Sequence, residues 1–187
     1  PELTASEVLV AVAPSLVTIS IRAGDGRSAS GSGVLIDGGG EGRVLTASSL
    51  VENADSLALR LSDGRWIDEI RLVESEPAGG LAVLAFEASD LPEPARVGSD
   101  EGLERGSSLF LLGDLLGRGP TMNEVSLVLR GSVGGQARLL IDREITISNV
   151  GGPIVDDRGS LIGVALSELR AGSLGPAVGR AGVVSPI

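Results

Sequence analysis

The feature that most limits the fold is a succession of short β-type runs separated by glycine, with almost no helical periodicity after residue 15. Apolar and polar residues alternate from Leu16 to Ile21, as they do along a half-buried strand. The glycines of Gly38–Gly42 indicate a hairpin loop, and Asp63-Gly64 is a typical turn pair. This pattern predicts an all-β chain of short antiparallel strands.

One short helix is expected before the strands. It begins at Thr4 or Ser6, either of which can cap it, and ends at Val12 before Pro14. About twelve strands are predicted after it. The predicted strand runs are Leu16–Ile21, Gly33–Ile36, Arg43–Thr46, Ser56–Leu61, Trp66–Glu74, Leu81–Phe86, Ser107–Leu112, Val125–Leu129, Ala137–Ile141, Pro153–Val155, Leu161–Leu166 and Gly182–Val184.

These strands fall into two sets of six on either side of a connector that contains Pro92 and Pro94. We therefore predict two packed six-stranded antiparallel β-barrels within a single domain, 1–187. The N-terminal barrel is expected at about 13–90, the linker at about 91–105 and the C-terminal barrel at about 106–187.

The residue types that usually perform proton transfer are missing. The chain contains no histidine, lysine, cysteine or tyrosine, and its 15 basic residues are all arginine. Histidine is the usual general base near neutral pH, and the other three are its usual substitutes. A serine or threonine hydroxyl is a poor nucleophile unless a base removes its proton. The sequence therefore lacks the usual means of activating a nucleophile.

Charge and composition exclude several classes of partner. The net charge is −10, and aromatic residues are 2% of the chain, which disfavours nucleic acids and anionic membranes. No apolar run reaches the roughly 18 residues of a membrane span. The glycine-rich stretches 31–33 and 38–42 lack the strand–loop–helix context of phosphate loops, so no cofactor is expected.

Seven short segments, in order and at matching spacing, resemble the motifs of one known family. In the first half, SGSGVLI at 30–36 resembles SGSGVII, RVLT at 43–46 resembles part of YVVTNNHVV, LSDGR at 61–65 resembles LSDGR, and 76–84 resembles DPRSDIAL. In the second half, LLGD at 111–114 resembles AIGNP, NVGGP at 149–153 resembles GNSGGP, and GSLIGV at 159–164 resembles GELIGI. These are motifs of the HtrA/DegP-like serine proteases of the chymotrypsin fold, and the resemblance implies two trypsin-like barrels, in agreement with the strand pattern.

The resemblance also assigns the three catalytic positions, and all three are replaced. The position of the family's histidine holds Ser49, that of its aspartate holds Gly80, and that of its nucleophile, between Asn149 and Gly151, holds Val150. Loss of the base or nucleophile of such a triad lowers the catalytic rate by a factor of about 10⁶. We therefore predict a pseudoprotease with no catalytic residues.

Two further positions follow from the resemblance. The family has glycine two residues before the nucleophile, where its N–H enters the oxyanion hole, whereas this chain has Ser148, so we predict a filled, non-functional hole. The family's substrate-pairing strand edge corresponds to Val164, Ala165, Leu166 and Ser167. Either this edge pairs with a peptide by strand addition, or the chain's own loops cover it.

Other polar residues have simpler explanations than catalysis. We expect the hydroxyls of Ser48 and Ser49 to end a strand or cap a short helix rather than act as nucleophiles. Asp142 is expected to be structural, and Asp156-Asp157 to form a turn rather than bind a metal. An acidic set forms either a solvated rim or a surface that steers a basic partner. Its members are Glu74, Glu76, Asp90, Glu93, Asp100, Glu101 and Glu104.

The sequence thus predicts a catalytically inactive HtrA-like domain that binds, scaffolds or regulates a protein or peptide. The alternative is a hydrolase that uses two carboxylates outside the triad positions. HtrA-like trimers are often locked by aromatic residues near the N-terminus, and none precedes Trp66, so we expect a monomer. The resemblance implies the periplasm, the cell envelope or the extracellular space, with a targeting segment removed before Pro1 and a PDZ domain possible after Ile187.

Overall fold

The computed structural model describes residues 2–52, 54–76, 80–114, 117–166 and 182–187. Helix α1 spans Ala5–Val12 and is capped by Thr4. The Thr4 N–H donates to Glu7 Oε2 at 2.8 Å, while the Glu7 N–H donates to Thr4 Oγ1 at 3.3 Å. This reciprocal capping box satisfies two N–H groups that the first turn leaves without helical partners. The predicted short helix is therefore confirmed.

The N-terminal sheet contains seven antiparallel strands in the order β5-β4-β1-β2-β3-β7-β6. Its interior is lined by alternate aliphatic residues, among which Ile19, Leu35, Leu59 and Leu84 are almost completely buried. The strands are β1 (Leu16–Arg22), β2 (Ser28–Ile36), β3 (Gly42–Ala47), β4 (Ser56–Arg60), β5 (Trp66–Ile67), β6 (Arg71–Glu76) and β7 (Leu81–Phe86).

The seventh strand arises because the run predicted from Trp66 to Glu74 is interrupted at 68–70. Its first part, β5, pairs with β4, whereas its second part, β6, pairs with β7. The two edges of the sheet are thus joined by a segment of three residues. The sheet is curled, but β4 and β6 do not pair with each other among the described residues.

The C-terminal half is a closed barrel of six strands in the order β10-β13-β12-β11-β8-β9. The strands are β8 (Ser108–Asp114), β9 (Pro120–Val133), β10 (Gln136–Ile141), β11 (Pro153–Val155), β12 (Leu161–Ala165) and β13 (Gly182–Pro186). At 14 residues, β9 is much longer than the predicted Val125–Leu129, because its first half pairs with β8 and its second half with β10. The all-β fold class with one short helix is confirmed.

The two sheets and the helix share one apolar layer. Val8 and Val12 of α1 pack in the same buried cluster as Leu45 of β3, Phe110 of β8 and Val164 of β12. Burying an aliphatic side chain of this size contributes about 1.5–3 kcal/mol, so this layer holds the halves together.

The connector between the two sheets forms backbone hydrogen bonds with each sheet. The Ala95 N–H donates to the Leu35 carbonyl oxygen of β2, and the Gly98 N–H donates to the Leu161 carbonyl oxygen of β12, each at 2.8 Å. The connector therefore ties one half to the other.

Candidate functional site

A buried serine on β2 joins the N-terminal sheet to the C-terminal barrel. The Ser32 hydroxyl donates to the Ser148 carbonyl oxygen at 2.8 Å and accepts from the Asp114 N–H at 3.1 Å. The Ser32 N–H donates to the Val150 carbonyl oxygen at 2.8 Å. Since Ser32 is completely buried, these bonds fix the loop that carries Val150 against the N-terminal sheet.

The carboxylate at this junction is already engaged on both oxygens. Asp114 Oδ2 accepts from the Thr18 hydroxyl at 2.9 Å, and Asp114 Oδ1 accepts from the Gly119 N–H at 3.0 Å. Through Thr18, Asp114 hydrogen-bonds across the junction to the N-terminal sheet. A hydrolase of the two-carboxylate type requires a second one facing it. The alternative function gains no support from this arrangement.

The loop that carries Val150 turns back on itself. The Thr146 carbonyl oxygen accepts from the Asn149 N–H at 2.9 Å and from the Val150 N–H at 3.2 Å. In trypsin-like enzymes the N–H of the nucleophile's residue helps to form the oxyanion hole, whereas here the corresponding N–H is bonded inside the loop. Ser148 does not have a positive φ, since Asp90 (φ 51°) is the one described non-glycine residue that does.

Gly151 is required by this close packing. Its φ is +80°, and a Cβ at this position would collide with the Ser32 carbonyl oxygen and the Thr46 hydroxyl. The Gly151 N–H also donates to the Ala165 carbonyl oxygen at 2.8 Å. The Gly-Gly pair of the motif therefore lets the loop lie directly on the N-terminal sheet.

The three assigned triad positions lie at the same end of the junction. Ser49 is exposed in a 3₁₀ turn that follows β3, and Gly80 precedes β7. The Ser48 N–H donates to the Gly80 carbonyl oxygen at 2.8 Å, which places Ser49 beside Gly80. On the other side of Ser49, Leu50 packs against the buried cluster that contains Val150.

Aliphatic side chains fill the space between these positions. Val150 and Leu166 are 8% and 9% exposed and belong to one cluster with Ala47 and the barrel core. A Cβ on Gly80 would lie 2.8 Å from Leu166 Cδ1 and 2.9 Å from Leu166 Cδ2. Leu166 thus occupies the volume that a side chain at position 80 would need.

A buried arginine lies on β10. Burial lowers the pKa of the Arg138 guanidinium, whereas the negative charge of Glu76 acts in the opposite direction. A guanidinium stays protonated in proteins, so Arg138 cannot replace the missing base.

At the residues that the structure describes, the proposed peptide-binding edge is hydrogen-bonded within the barrel. β12 lies between β11 and β13, and Val164 and Ala165 pair with β13. The Ala165 N–H donates to the Gly152 carbonyl oxygen at 2.9 Å, and Leu166 is also bonded to β13 through its N–H. This edge is therefore paired with β13, and that pairing closes the barrel. Ser167 lies outside the described residues.

Two aspartates named in the sequence analysis accept hydrogen bonds from backbone N–H groups. Asp156 Oδ1 accepts from the Arg158 N–H at 3.0 Å and from the Ser160 N–H at 2.8 Å, which forms the turn between β11 and β12. Asp142 Oδ1 accepts from the Ser126 N–H at 2.8 Å.

Across the described ranges, no group of three or more acidic residues is arranged to hold a metal ion. Within the same ranges, no helix is long and apolar enough to cross a membrane.

Sequence reasoning did not single out two residues that organise this junction. Ser32 and Asp114 lie within the matched motifs, but nothing in the motifs indicates that the Ser32 hydroxyl accepts from the Asp114 N–H. Leu166, which the sequence analysis named only as part of an edge, also lies against Gly80. One indication of this packing was available in the sequence: residue 166 is aliphatic, although the site beside it was expected to be polar.

Comparison with known proteins agrees with this architecture. Residues 31–164 match a family model described as a trypsin-like peptidase domain. The serine protease Do-like HtrA of Lactobacillus helveticus is 26% identical over 161 residues, which cover 79% of this chain and 38% of that protein. The periplasmic serine endoprotease DegP of Escherichia coli K12 is 29% identical over 139 residues, covering 72% of this chain and 29% of that protein. The chain thus spans well under half the length of these relatives.

Solved structures give the same result. The HtrA-type protease AlgW with a tripeptide matches 98% of this chain and 60% of its own chain, with a TM-score of 0.82 and 25% sequence identity. A variant of AlgW with a tripeptide gives a TM-score of 0.83. The match includes the curled N-terminal sheet and the closed C-terminal barrel, since it extends over nearly the whole chain. The chain therefore belongs to the family of trypsin-like peptidase domains, and its fold is HtrA-like.

Proposed function

We propose that this domain is catalytically inactive and acts as a protein-binding, scaffolding or regulatory module. The observation that carries the proposal is the identity of the residues at the three assigned triad positions. They are Ser49, Gly80 and Val150, in a chain without histidine. A hydrocarbon at the nucleophile position cannot form an acyl-enzyme, and a lone serine hydroxyl has no base to activate it.

The packing around these positions supports the proposal. The Val150 side chain is buried where a reacting carbonyl would approach, and its N–H is bonded to the Thr146 carbonyl oxygen rather than available to an oxyanion. Gly80 has φ +82°, which strains any other residue, and a Cβ there would displace the Cδ atoms of Leu166. Both features favour stable packing over catalysis.

A role in binding is supported by what the relatives do. The AlgW structures contain bound tripeptides, and several relatives are named as periplasmic proteases. We propose that this domain retains contact with proteins or peptides, as a monomer, in the cell envelope, the periplasm or outside the cell. The domain would then act by binding a partner protein rather than by cleaving it.

The test combines covalent labelling with turnover. The purified domain is incubated with a fluorophosphonate probe and, separately, with unfolded casein, beside an active serine protease of the same fold as a positive control. We expect no labelling and no casein cleavage above a buffer blank. Peptide-bond cleavage that co-elutes with the domain through size-exclusion chromatography would refute the proposal.

A further inference from the structure

The curled N-terminal sheet leaves an open cleft between two of its strands. β4 pairs with β1 along its whole length, but with β5 only at Leu59 and Arg60. β6 pairs with β7, and no strand among the described residues pairs with its other side. The outer backbone edges of residues 56–58 and of β6 are therefore free to pair with another strand.

The lining of the cleft is partly apolar and partly polar. Its volume is about 360 Å³, and its lining includes Val51, Leu57, Ile70 and Leu72. On the adjoining strand, Leu72 is 52% exposed and Val73 is 40% exposed. Large apolar side chains on an unpaired edge favour association with an added strand, because that strand would bury them.

The charges at the cleft are negative and unneutralised. Asp55, just before β4, and Asp68, just after β5, both line it, and its lining contains no arginine. Neither carboxylate has a hydrogen bond or an ion pair with its side chain in the described part of the chain, whereas the nearby Arg71 is paired with Glu41 at 2.9 Å. A cation entering the cleft would therefore meet carboxylates that no protein group has neutralised.

We propose that this cleft binds an extended, positively charged segment of another protein as an additional β-strand. The side chains of an added strand that face the cleft would lay their aliphatic parts on the lining around Leu57 and Leu72. Their charged ends would reach Asp55 and Asp68, which line the same cleft. Pairing with a second copy of this domain is disfavoured, since it would bring the same carboxylates together. The proposal deepens the protein-binding role given above by naming its surface and the chemistry of its partner.

The probe is a fluorescein-labelled, end-blocked octapeptide of alternating arginine and valine. One control peptide replaces arginine with glutamate, and a second keeps the arginine–valine sequence but is N-methylated at alternate residues, which removes its strand-pairing donors. We expect fluorescence anisotropy to show binding of the first peptide and at least tenfold weaker binding of both controls. Hydrogen exchange should slow at residues 56–58 and 72–75 when the first peptide is bound.

Matched charge variants locate the site. Asp55→Asn combined with Asp68→Asn should weaken binding about tenfold, since each exposed ion pair is worth about threefold in affinity. Glu93→Gln combined with Glu101→Gln changes the net charge equally at exposed positions outside the cleft and should change affinity less than about twofold.

Three outcomes overturn the proposal: no binding of the arginine–valine peptide, equal binding of its N-methylated form, or equal loss in both double variants. The last two would indicate diffuse charge attraction. None of them bears on catalytic inactivity, which the labelling and casein experiments decide separately.

Discussion

Gly80→Ala is the most informative perturbation, because it tests whether the position of the orienting aspartate is closed. An alanine at φ +82° is strained by about 1–2 kcal/mol. Its Cβ would also lie 2.8 and 2.9 Å from the two Cδ atoms of Leu166, and such overpacking costs about 1–3 kcal/mol. The reduced freedom of the unfolded chain returns about 0.4–1 kcal/mol. We expect the free energy of unfolding to fall by about 2–4 kcal/mol.

A double-mutant cycle separates the two contributions. Leu166→Ala alone should cost about 2–5 kcal/mol, because the side chain is buried. In that background the clash is absent, so Gly80→Ala should cost only the backbone strain, about 1 kcal/mol. Urea denaturation of the four proteins, with slopes compared to exclude a change in the unfolded state, gives each value.

Gly64→Ala is the matched control. Gly64 has φ +90°, but no atom lies within 4 Å of a Cβ at that position. Its cost should therefore be about 1 kcal/mol and should be the same with Leu166 or alanine at position 166. If Gly80→Ala costs equally in both backgrounds, Leu166 does not occupy the space beside residue 80 and the reasoning fails.

Three further predictions follow from the junction and from the helix. Restoring the triad residues as Ser49→His, Gly80→Asp and Val150→Ser together should still give no fluorophosphonate labelling, because the aspartate does not fit; labelling would show that the space is open. Ser32→Ala should lower the free energy of unfolding by about 1–3 kcal/mol in urea, since it removes two hydrogen bonds, to the Ser148 carbonyl oxygen and from the Asp114 N–H; a loss below about 0.5 kcal/mol would contradict this. Hydrogen bonds from the backbone and side chain of the N-cap residue lower the pKa of Glu7, so its contribution to stability is present above the ordinary value of 4.5 and is lost as the pH falls through the lowered folded-state value. Glu7→Gln should therefore have a lower unfolding free energy than the wild type at about pH 7, and the difference should shrink as the pH falls below 4.5, whereas a constant difference would exclude the linkage.

Most strands could be located from the sequence, because their signals are local. β7 and β11 lie at the predicted residues, Leu81–Phe86 and Pro153–Val155. The sequence offered Thr4 or Ser6 as the cap of α1, and the structure has Thr4. In each case, the alternation of apolar residues or the identity of a single turn or cap residue determines the element within a few positions.

The incorrect boundaries came from strands whose limits depend on distant partners. β9 begins with residues 120–124, none of which is fully buried, and only pairing with β8 makes them a strand. The run from Trp66 to Glu74 is divided because its two parts pair with different strands. The edge at Val164 and Ala165 is closed by β13, which is remote in sequence.

By itself, the sequence determined which chemical groups stand at the three triad positions and that no histidine, lysine, cysteine or tyrosine can assist them. Only the tertiary structure decided that Leu166 fills the space beside Gly80, that Ser32 joins the two halves, and that an acidic cleft remains between β4 and β6. The physical reason is that residue identity and short-range periodicity are local properties, whereas side-chain contacts and free strand edges depend on how a sheet curls and on the register of strands far apart in the chain.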